Sequence, residues 1–516
     1  MSWKPEVDEI SERKRLAREM GGEESVARQH SYGKFTIRER IEAVLDAGSF
    51  KEHGPQAGFG ERDDEGKLTG FVPGNYVLGV GTIAGRRCVV GGEDFTLRGG
   101  SPSPAGLRKS VWSEELAVRY RLPLLRFLEG GGGSVAGSSG GSGKPAAPRP
   151  AGDPVYSPQR FAVIANALQE VPVVSGAMGA VAGFPAARLV ASHLSLMTRT
   201  TSQVLIGGPA LVERALGEKK TKAELGGPDV HLRNGVVDNL AEDEEDLFEQ
   251  MKRFLDYLPS SARELPPERQ PAGGDRRDRR EDELLDIVPR DRRRLYDMRR
   301  VLELVLDRGS FFEKGALYGR SQIVGLARLD GLPIGVWAND PRHNGGAMGA
   351  DGAQKVRRFL EFCETFHLPV VCFVDEPGFM IGSASEQAGT IRYGMEAIAA
   401  NVRTTVPWAS VQVRKSYGVA AAAHYGPNAH VLAWPSAESG ALPLEGGVAV
   451  AFRREIAAAP DPEKRRRELE QELSKGRTPF PRAEWFSVHD LIDPRDTRPE
   501  LCAWLDLCRP LLRTRV

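Results

Sequence analysis

Apolar positions in this chain repeat on two scales. On the short scale, IEAVLDAGSFKE (residues 41–52) carries Ile41, Val44 and Leu45 on one face and stops at a Gly-Ser turn. Spacings of three and four residues followed by glycine predict an amphipathic helix and its end. On the long scale the pattern recurs: LELVLDRGSFFE (302–313) matches it at eight of twelve positions. LGVGTIAG (78–85) pairs with VGLARLDG (324–331), and LPLLRFLE (122–129) with LPVVCFVD (368–375), both at an offset of 246 residues. One offset kept across separated segments indicates a duplicated domain.

Each half then has the same grammar. After the helix come strand-like segments, CVVGG (88–92) or PIGVWA (333–338), beside a Gly-containing turn. A helix follows, LRKSVWSEELAVRYR (107–121) or AQKVRRFLEFCETF (353–366), and then a strand opened by Leu-Pro. Strands alternating with helices of this length predict an α/β fold. LPVVCFVD and ASVQVR (409–414) are almost continuously apolar or β-branched, as strands covered on both faces should be. Residues 263–286 are rich in proline and charge and lack a hydrophobic period, so they read as a solvated linker between domains at 1–262 and 287–516. The Gly/Ser-rich stretch 130–153 reads as a flexible loop, with a lid as the alternative.

Composition narrows the function. Among 516 residues, Lys+Arg and Asp+Glu both total 70, for zero net charge. That argues against nucleic acid or an anionic membrane as the main partner, and leaves little electrostatic barrier to self-association. The cysteines, Cys88, Cys363, Cys372, Cys502 and Cys508, are odd in number and form no C-x-x-C pair. No disulfide framework or zinc site is expected, and a reducing compartment fits. No apolar run approaches the roughly 18 residues of a membrane span. The charged first thirty residues offer no secretory signal, and Glu6, Asp8, Glu9 and Glu12 argue against a matrix-targeting peptide. The expected location is cytoplasmic.

No G-x-x-x-x-G-K-[ST], H-E-x-x-H or G-x-S-x-G motif is present. Backbone donors remain: successive N–H groups at a glycine-containing strand-to-helix turn can converge on one oxygen. Two such turns follow Val-Pro strands at matching places. VPVVSGAMGAVAGF (171–184) would present the amides of Gly183 and Phe184, and VPWASVQVRKSYGVAA (406–421) those of Val419 and Ala420. Small residues for close helix–sheet packing explain the same pattern, and periodicity alone favours packing.

Eight stretches resolve the choice by resemblance. They are GKFTIRERIEAVLDAGSF (33–50), EDFTLRGGS (93–101), LGGPDVH (225–231), IVPRDRRRLYDMR (287–299), FVDEPGF (373–379), RKSYG (414–418), LAWPSAE (432–438) and DLIDPRDTR (490–498). In this order and over almost the whole chain, they resemble the carboxyltransferase (beta) subunits of biotin-dependent acyl-CoA carboxylases, the propionyl-CoA and methylcrotonyl-CoA carboxylase family.

The resemblance implies two tandem crotonase-like domains. It also implies a reaction in which carboxybiotin on a separate carrier gives its carboxyl group to the α-carbon, or vinylogous γ-carbon, of an acyl-CoA. The N-terminal half of one subunit would hold CoA and the C-terminal half of a partner would hold biotin, commonly within hexamers. A biotin carboxylase and a biotin carboxyl carrier (alpha) subunit are implied partners, and no metal is implied. The enolate oxygen would bind at Gly183 and Phe184, and the biotin ureido oxygen at Val419 and Ala420. Gly99, Gly100, Ser101, Gly179, Ala180 and Ala422 would lie on the acyl-CoA side, and Gly378, Phe379, Tyr417 and Gly418 on the biotin side.

Departures from the family pattern cluster at the same places. Phe184 stands where a second glycine is usual, and Val419 where Tyr-Gly-Gly-Ala is usual. Backbone donors survive any non-proline substitution, but a β-branched Val419 does not easily adopt positive φ. Ala422 replaces a common acidic residue, and Glu129 with the Gly-rich run replaces Asp-Ser-Gly-Gly-Ala. No A-M-K-M motif is present, and Met251-Lys252 in EQMKRF is a poor match, so biotin is expected on a partner. Two alternatives stay open: a biotin-dependent acyl-CoA decarboxylase subunit, and a non-catalytic assembly paralogue. The acyl-CoA itself is not fixed.

Overall fold

The computed structural model describes residues 2–131, 158–271, 275–474 and 478–516. It contains two compact units, Met1–Glu264 and Leu265–Val516. The first carries β1 (Lys51–Glu52), β2 (Gly58–Arg62), β3 (Leu68–Pro73), β4 (Tyr76–Ile83), β5 (Arg86–Glu93), β6 (Leu124–Gly130), β7 (Val173–Ala182), β8 (Leu194–Thr198), β9 (Gln203–Leu205) and β10 (Asn239–Ala241). The second carries β11 (Phe312–Lys314), β12 (Gln322–Leu329), β13 (Leu332–Asn339), β14 (Val370–Glu376), β15 (Trp408–Tyr417), β16 (His430–Ala433), β17 (Glu438–Gly440) and β18 (Asp490–Leu491).

The first main sheet has the order β1-β4-β5-β6-β7-β8-β10, with β9 on β7. The second has β11-β12-β13-β14-β15-β16-β18, with β17 on β15. In each, an antiparallel start gives way to parallel pairing. The α/β fold read from the sequence is therefore present twice.

The two copies agree in register. Tyr76 faces Glu93 and Gln322 faces Asn339; Leu124 faces Val173 and Val370 faces Trp408. Each copy also breaks register at the same place, between Leu128 and Gly130 and between Val374 and Glu376. A one-residue slip would turn a buried face outward, so agreement down to the irregularity marks one fold built twice. Prolines open the strands alike. Lacking an N–H, proline suits a strand start, and its carbonyl still accepts. Pro123 takes the Val89 N–H at 2.8 Å and Pro369 that of Gly335 at 2.9 Å; Pro172 takes Leu124 at 2.8 Å and Pro407 takes Val370 at 2.9 Å.

The two helices anticipated at 107–121 and 353–366 form as Pro104–Tyr120 and Ala350–Thr365. β6 and β14 are buried at every position, as their continuous apolar character required. In the second unit the core joins Val301, Leu302, Val336, Val371 and Val411 to Trp434, Leu501 and Leu505.

The reading of 263–286 as solvated linker needs correction. Asp275 is only 6% exposed and Leu284 3%, the latter packed into the second unit's core. Arg279 bonds Asp275 at 2.8 Å and donates to the carbonyls of Leu304 and Leu306, both at 2.7 Å. Charge pairing, which leaves no hydrophobic period, seats this segment. The Gly/Ser-rich stretch 130–153 lies outside the described residues from 132 onward.

Candidate active site: two strand-to-helix turns

In the first unit β7 ends at Ala182. Gly183 turns the chain with φ 65° and ψ −129°, and the helix Phe184–Val190 begins with Pro185 as its second residue. The Phe184 N–H falls in the first turn, among the donors a helix leaves without an internal partner. The half-buried Phe184 ring meets Phe161 edge-on at 6.0 Å, and the Arg160 and Arg188 guanidinium groups lie 5.8 and 6.0 Å from its centre. Arg188 is buried and anchors the helix from beneath. It donates to Glu114 at 2.8 Å, the Tyr76 hydroxyl at 3.0 Å and Glu93 at 3.2 Å. Burial opposes its charge, but Tyr76, Glu114 and Glu93 outweigh that and raise its pKa.

Beside the turn, Glu129 at the end of β6 is wholly buried. It accepts from Lys34, from Arg40 at 2.7 Å and from Gln29 at 2.9 Å; Arg40 also holds Glu244. Glu129, through its backbone and its side chain, explains two of the acyl-side glycines differently from expectation. A Cβ on Gly179 would stand 2.3 Å from Glu129 Oε1, and one on Gly100 (φ 70°) 2.3 Å from the Glu129 carbonyl oxygen. Both are glycines because Glu129 packs against them. Gly99 (φ 60°) is exposed, while Ser101 and Ala180 are half-buried.

In the second unit β15 ends at Tyr417 and the helix Gly418–Ala422 follows. The register of β7 and β15 makes Gly183 and Gly418 equivalent, Phe184 and Val419, and Pro185 and Ala420. Gly418 has φ 63°. The positive φ thus falls on glycine in both turns, and Val419 is spared it. The donors differ, because Pro185 lacks the N–H that Ala420 keeps. Val419 is 57% exposed, Ala420 buried and Ala422 exposed. The Tyr417 ring, expected on the biotin side, is buried with its hydroxyl donating to Glu438 at 2.9 Å, so only its backbone borders the turn. Gly378 (φ 124°) and Phe379 are half-buried, and Phe379 pairs with Met348.

The counterpart of Glu129 is Asp375. It accepts the Lys415 N–H at 3.0 Å and the Tyr296 hydroxyl at 2.9 Å, with Arg414 3.1 Å away. Sequence reasoning missed its neighbour Glu376 and also His424, both wholly buried. The one available signal was a second acid at the end of an apolar strand in FVDEPGF.

All five cysteines are buried and unpaired, and burial pushes the Cys88 thiol up to about 12. Among the described residues no three His, Cys, Asp or Glu side chains converge as a metal site, and no helix is long and apolar enough to cross a membrane.

Residues 28–510 match the carboxyl transferase domain family. The chain belongs to that family. As a carboxyl transferase it is 34% identical over 519 residues to the propionyl-CoA carboxylase carboxyltransferase subunit of Haloferax mediterranei, covering 99% of this chain and 97% of that one. It is 31% identical to the methylmalonyl-CoA decarboxylase subunit alpha of Veillonella parvula, covering 93% and 91%. The transcarboxylase 12S crystal structure, a hexamer with methylmalonyl-CoA and methylmalonic acid bound, superposes with a TM-score of 0.84 at 31% identity, covering 98% and 95%. The tandem units are crotonase-like, and the enzyme transfers a carboxyl group to acyl-CoA.

Proposed function

We propose that this carboxyl transferase takes its carboxyl group from carboxybiotin borne on a separate carrier, and works as an oligomer with a biotin carboxylase and that carrier. The observation that carries the reading is the pair of turns at equivalent register, Gly183 and Gly418, each opening a helix. The chemistry needs two such donor sets. Removing an α-proton from a thioester puts charge on its carbonyl oxygen, and releasing the carboxyl group puts charge on the ureido oxygen. The Gly183 and Phe184 amides serve the first and the Val419 and Ala420 amides the second. Donors aimed at developing charge are typically worth about 2.7–4 kcal/mol each.

The surroundings suit these roles. The exposed Gly418 and Val419 offer backbone donors, and the half-buried Phe379 beside Gly378 offers an apolar ring, to a small heterocycle. Tyr417 supports the turn through Glu438. On the acyl side Gly99, Ser101 and Ala180 remain reachable, Gly100 and Gly179 pack behind them, and Phe184 trims the space for the acyl chain. Reconstitution with a carboxylated biotin carrier and a panel of acetyl-, propionyl-, methylcrotonyl- and longer acyl-CoAs tests the reading. Turnover of carboxybiotin that depends on one acyl-CoA supports it; none with any would overturn it. The Veillonella relative favours a second reading, the same chemistry run toward decarboxylation, and carboxylation of biotin from a carboxyacyl-CoA alone would select it.

A further inference from the structure

Beneath the Gly418 turn lie two ionisable side chains without a counterpart in the first unit. Glu376 is the last residue of β14, and His424 follows the helix Gly418–Ala422. Both are fully buried. Glu376 Oε1 accepts the N–H of Gly378 at 3.0 Å and of Met348 at 3.3 Å. Its Oε2 accepts from Asn339 Nδ2 at 3.0 Å and Gln322 Nε2 at 3.5 Å, and faces His424 Nε2 at 3.7 Å. His424 Nδ1 stands 3.3 Å from the Ala420 carbonyl oxygen, and its ring stacks on Trp337 at 4.0 Å.

The proton count follows from these contacts. A carbonyl oxygen only accepts, so Nδ1 carries a hydrogen. His424 Nε2 is buried without a hydrogen-bond partner. It turns either a lone pair or a second hydrogen toward Glu376 Oε2. A lone pair against an ionised carboxylate would be repulsive in a dry interior. The two atoms face each other at 3.7 Å, beyond hydrogen-bond reach, and one proton on either of them removes that repulsion.

The surroundings place it on the carboxyl. Among the described residues no Arg or Lys contacts Glu376. Adjacent Asp375 already holds the local cations, Arg414 and Lys415. Two further buried charges would cost more than their attraction returns. The other titratable groups nearby are Cys372, whose thiol is pushed up by burial and by Glu376, and Tyr425, which bonds Ser416 at 2.9 Å. Burial pushes the Glu376 carboxyl up to about 8 and the His424 imidazole down to about 3.

The shared fold does not require this pair. At the equivalent positions the first unit has Gly130 and buried Leu189, and it forms the same strand irregularity and the same turn. The pair is thus particular to the unit whose turn keeps, at Ala420, the N–H that Pro185 lacks.

We propose that Glu376 and His424 are positioning residues for carboxyl transfer. One buried proton keeps the facing Glu376 and His424 side chains compatible, and the hydrogen bonds Gly378–Glu376 and His424–Ala420 on either side of that contact keep the Gly378 loop in register with the turn that presents the Val419 and Ala420 amides. The proposal rests on the functional reading above. Its sign is definite: the link is complete while the Glu376 acid is protonated and breaks as pH rises through about 8.

The test uses the full chain with its biotin carrier, the E376Q variant and infrared difference spectroscopy. At pH 7 the wild type should show the carbonyl stretch of a buried protonated carboxylic acid, absent in E376Q. That band should disappear near pH 8 in step with a tenfold-per-unit fall in kcat, with KM for acyl-CoA unchanged. E376Q stays uncharged at every pH. It should retain activity within about tenfold and lose the alkaline limb, and H424F should lower kcat without changing KM. Absence of the acid band, or an unaltered alkaline limb in folded E376Q, would overturn the proposal. A titrating band in a chain that transfers no carboxyl group at any pH would instead refute the functional reading, and the positioning role with it.

Discussion

Replacing Ala420 by proline deletes one N–H from the second turn and little else. Ala420 is the third residue of its helix, where the N–H has no internal partner to lose. The roughly 3 kcal/mol cost of proline in a helix interior therefore does not apply. The first unit supplies a precedent, since Pro185 occupies the equivalent position in a turn of the same shape. The remaining cost is steric. Ala420 is fully buried, and adding ring carbons to a packed site costs about 1–3 kcal/mol. At about 2–4 °C per kcal/mol for a unit of this size, the melting temperature should fall by several degrees and no more. If the amide faces developing charge, its loss costs about 2.7–4 kcal/mol and lowers kcat by about 10²–10³. Carboxyl transfer from the carboxylated carrier is followed at saturating acyl-CoA, with oligomeric state and melting temperature measured on the same sample. Ala420→Gly, which keeps the N–H, should stay within a few-fold of wild type. A folded Ala420→Pro enzyme with near-normal kcat would remove this turn from the mechanism and leave helix–sheet packing as its whole purpose.

Other outcomes follow from the same geometry. Phe184→Ala should shift preference toward longer acyl chains, read from kcat/KM across an acyl-CoA series, with little loss of stability because the ring is half-buried. Gly100→Ala combines a φ of 70° with a Cβ 2.3 Å from the Glu129 carbonyl oxygen; it should cost about 3 kcal/mol or more in denaturant unfolding, and a neutral result would mean the strand end gives way. Burial pushes the Asp340 carboxyl up, but hydrogen bonds from Arg299 and Arg342 win and hold it below its ordinary value. That contribution is present above about pH 4 and lost as pH falls further, so Asp340→Asn should flatten the acid side of the stability profile. Streptavidin blotting after co-expression with biotin ligase should find no biotin on this chain; a band mapping to Lys252 would overturn the assignment of biotin to a partner.

The repeat was legible because apolar spacing and Gly-Ser stops survive in both copies, and strand burial follows directly from runs such as LPVVCFVD. The two turns were legible as positions, but their shape was not. Nothing in Tyr417-Gly418-Val419 says which residue takes positive φ until the strand register fixes where β15 ends. The linker was misread because Asp275, Arg279 and Arg498 are held by ion pairs, which carry no period. Gly100 and Gly179 were seen as ligand-facing because a glycine's neighbours are invisible in one dimension; Glu129, distant in sequence from both, demands them, through its backbone carbonyl at Gly100 and its carboxylate at Gly179. His424 escaped for the same reason, its partner Glu376 lying on a different strand-to-helix segment.

The burial of all five cysteines gives the native chain a practical property. Thiol-directed reagents meet no accessible sulfur, so a fluorophore or spin label attached through an installed cysteine reports from a single known place without prior removal of native residues. Ile381, 88% exposed and three residues beyond Gly378, is a natural anchor. On the proposed function, a probe there would register arrival of the carrier in real time, separating docking from chemistry.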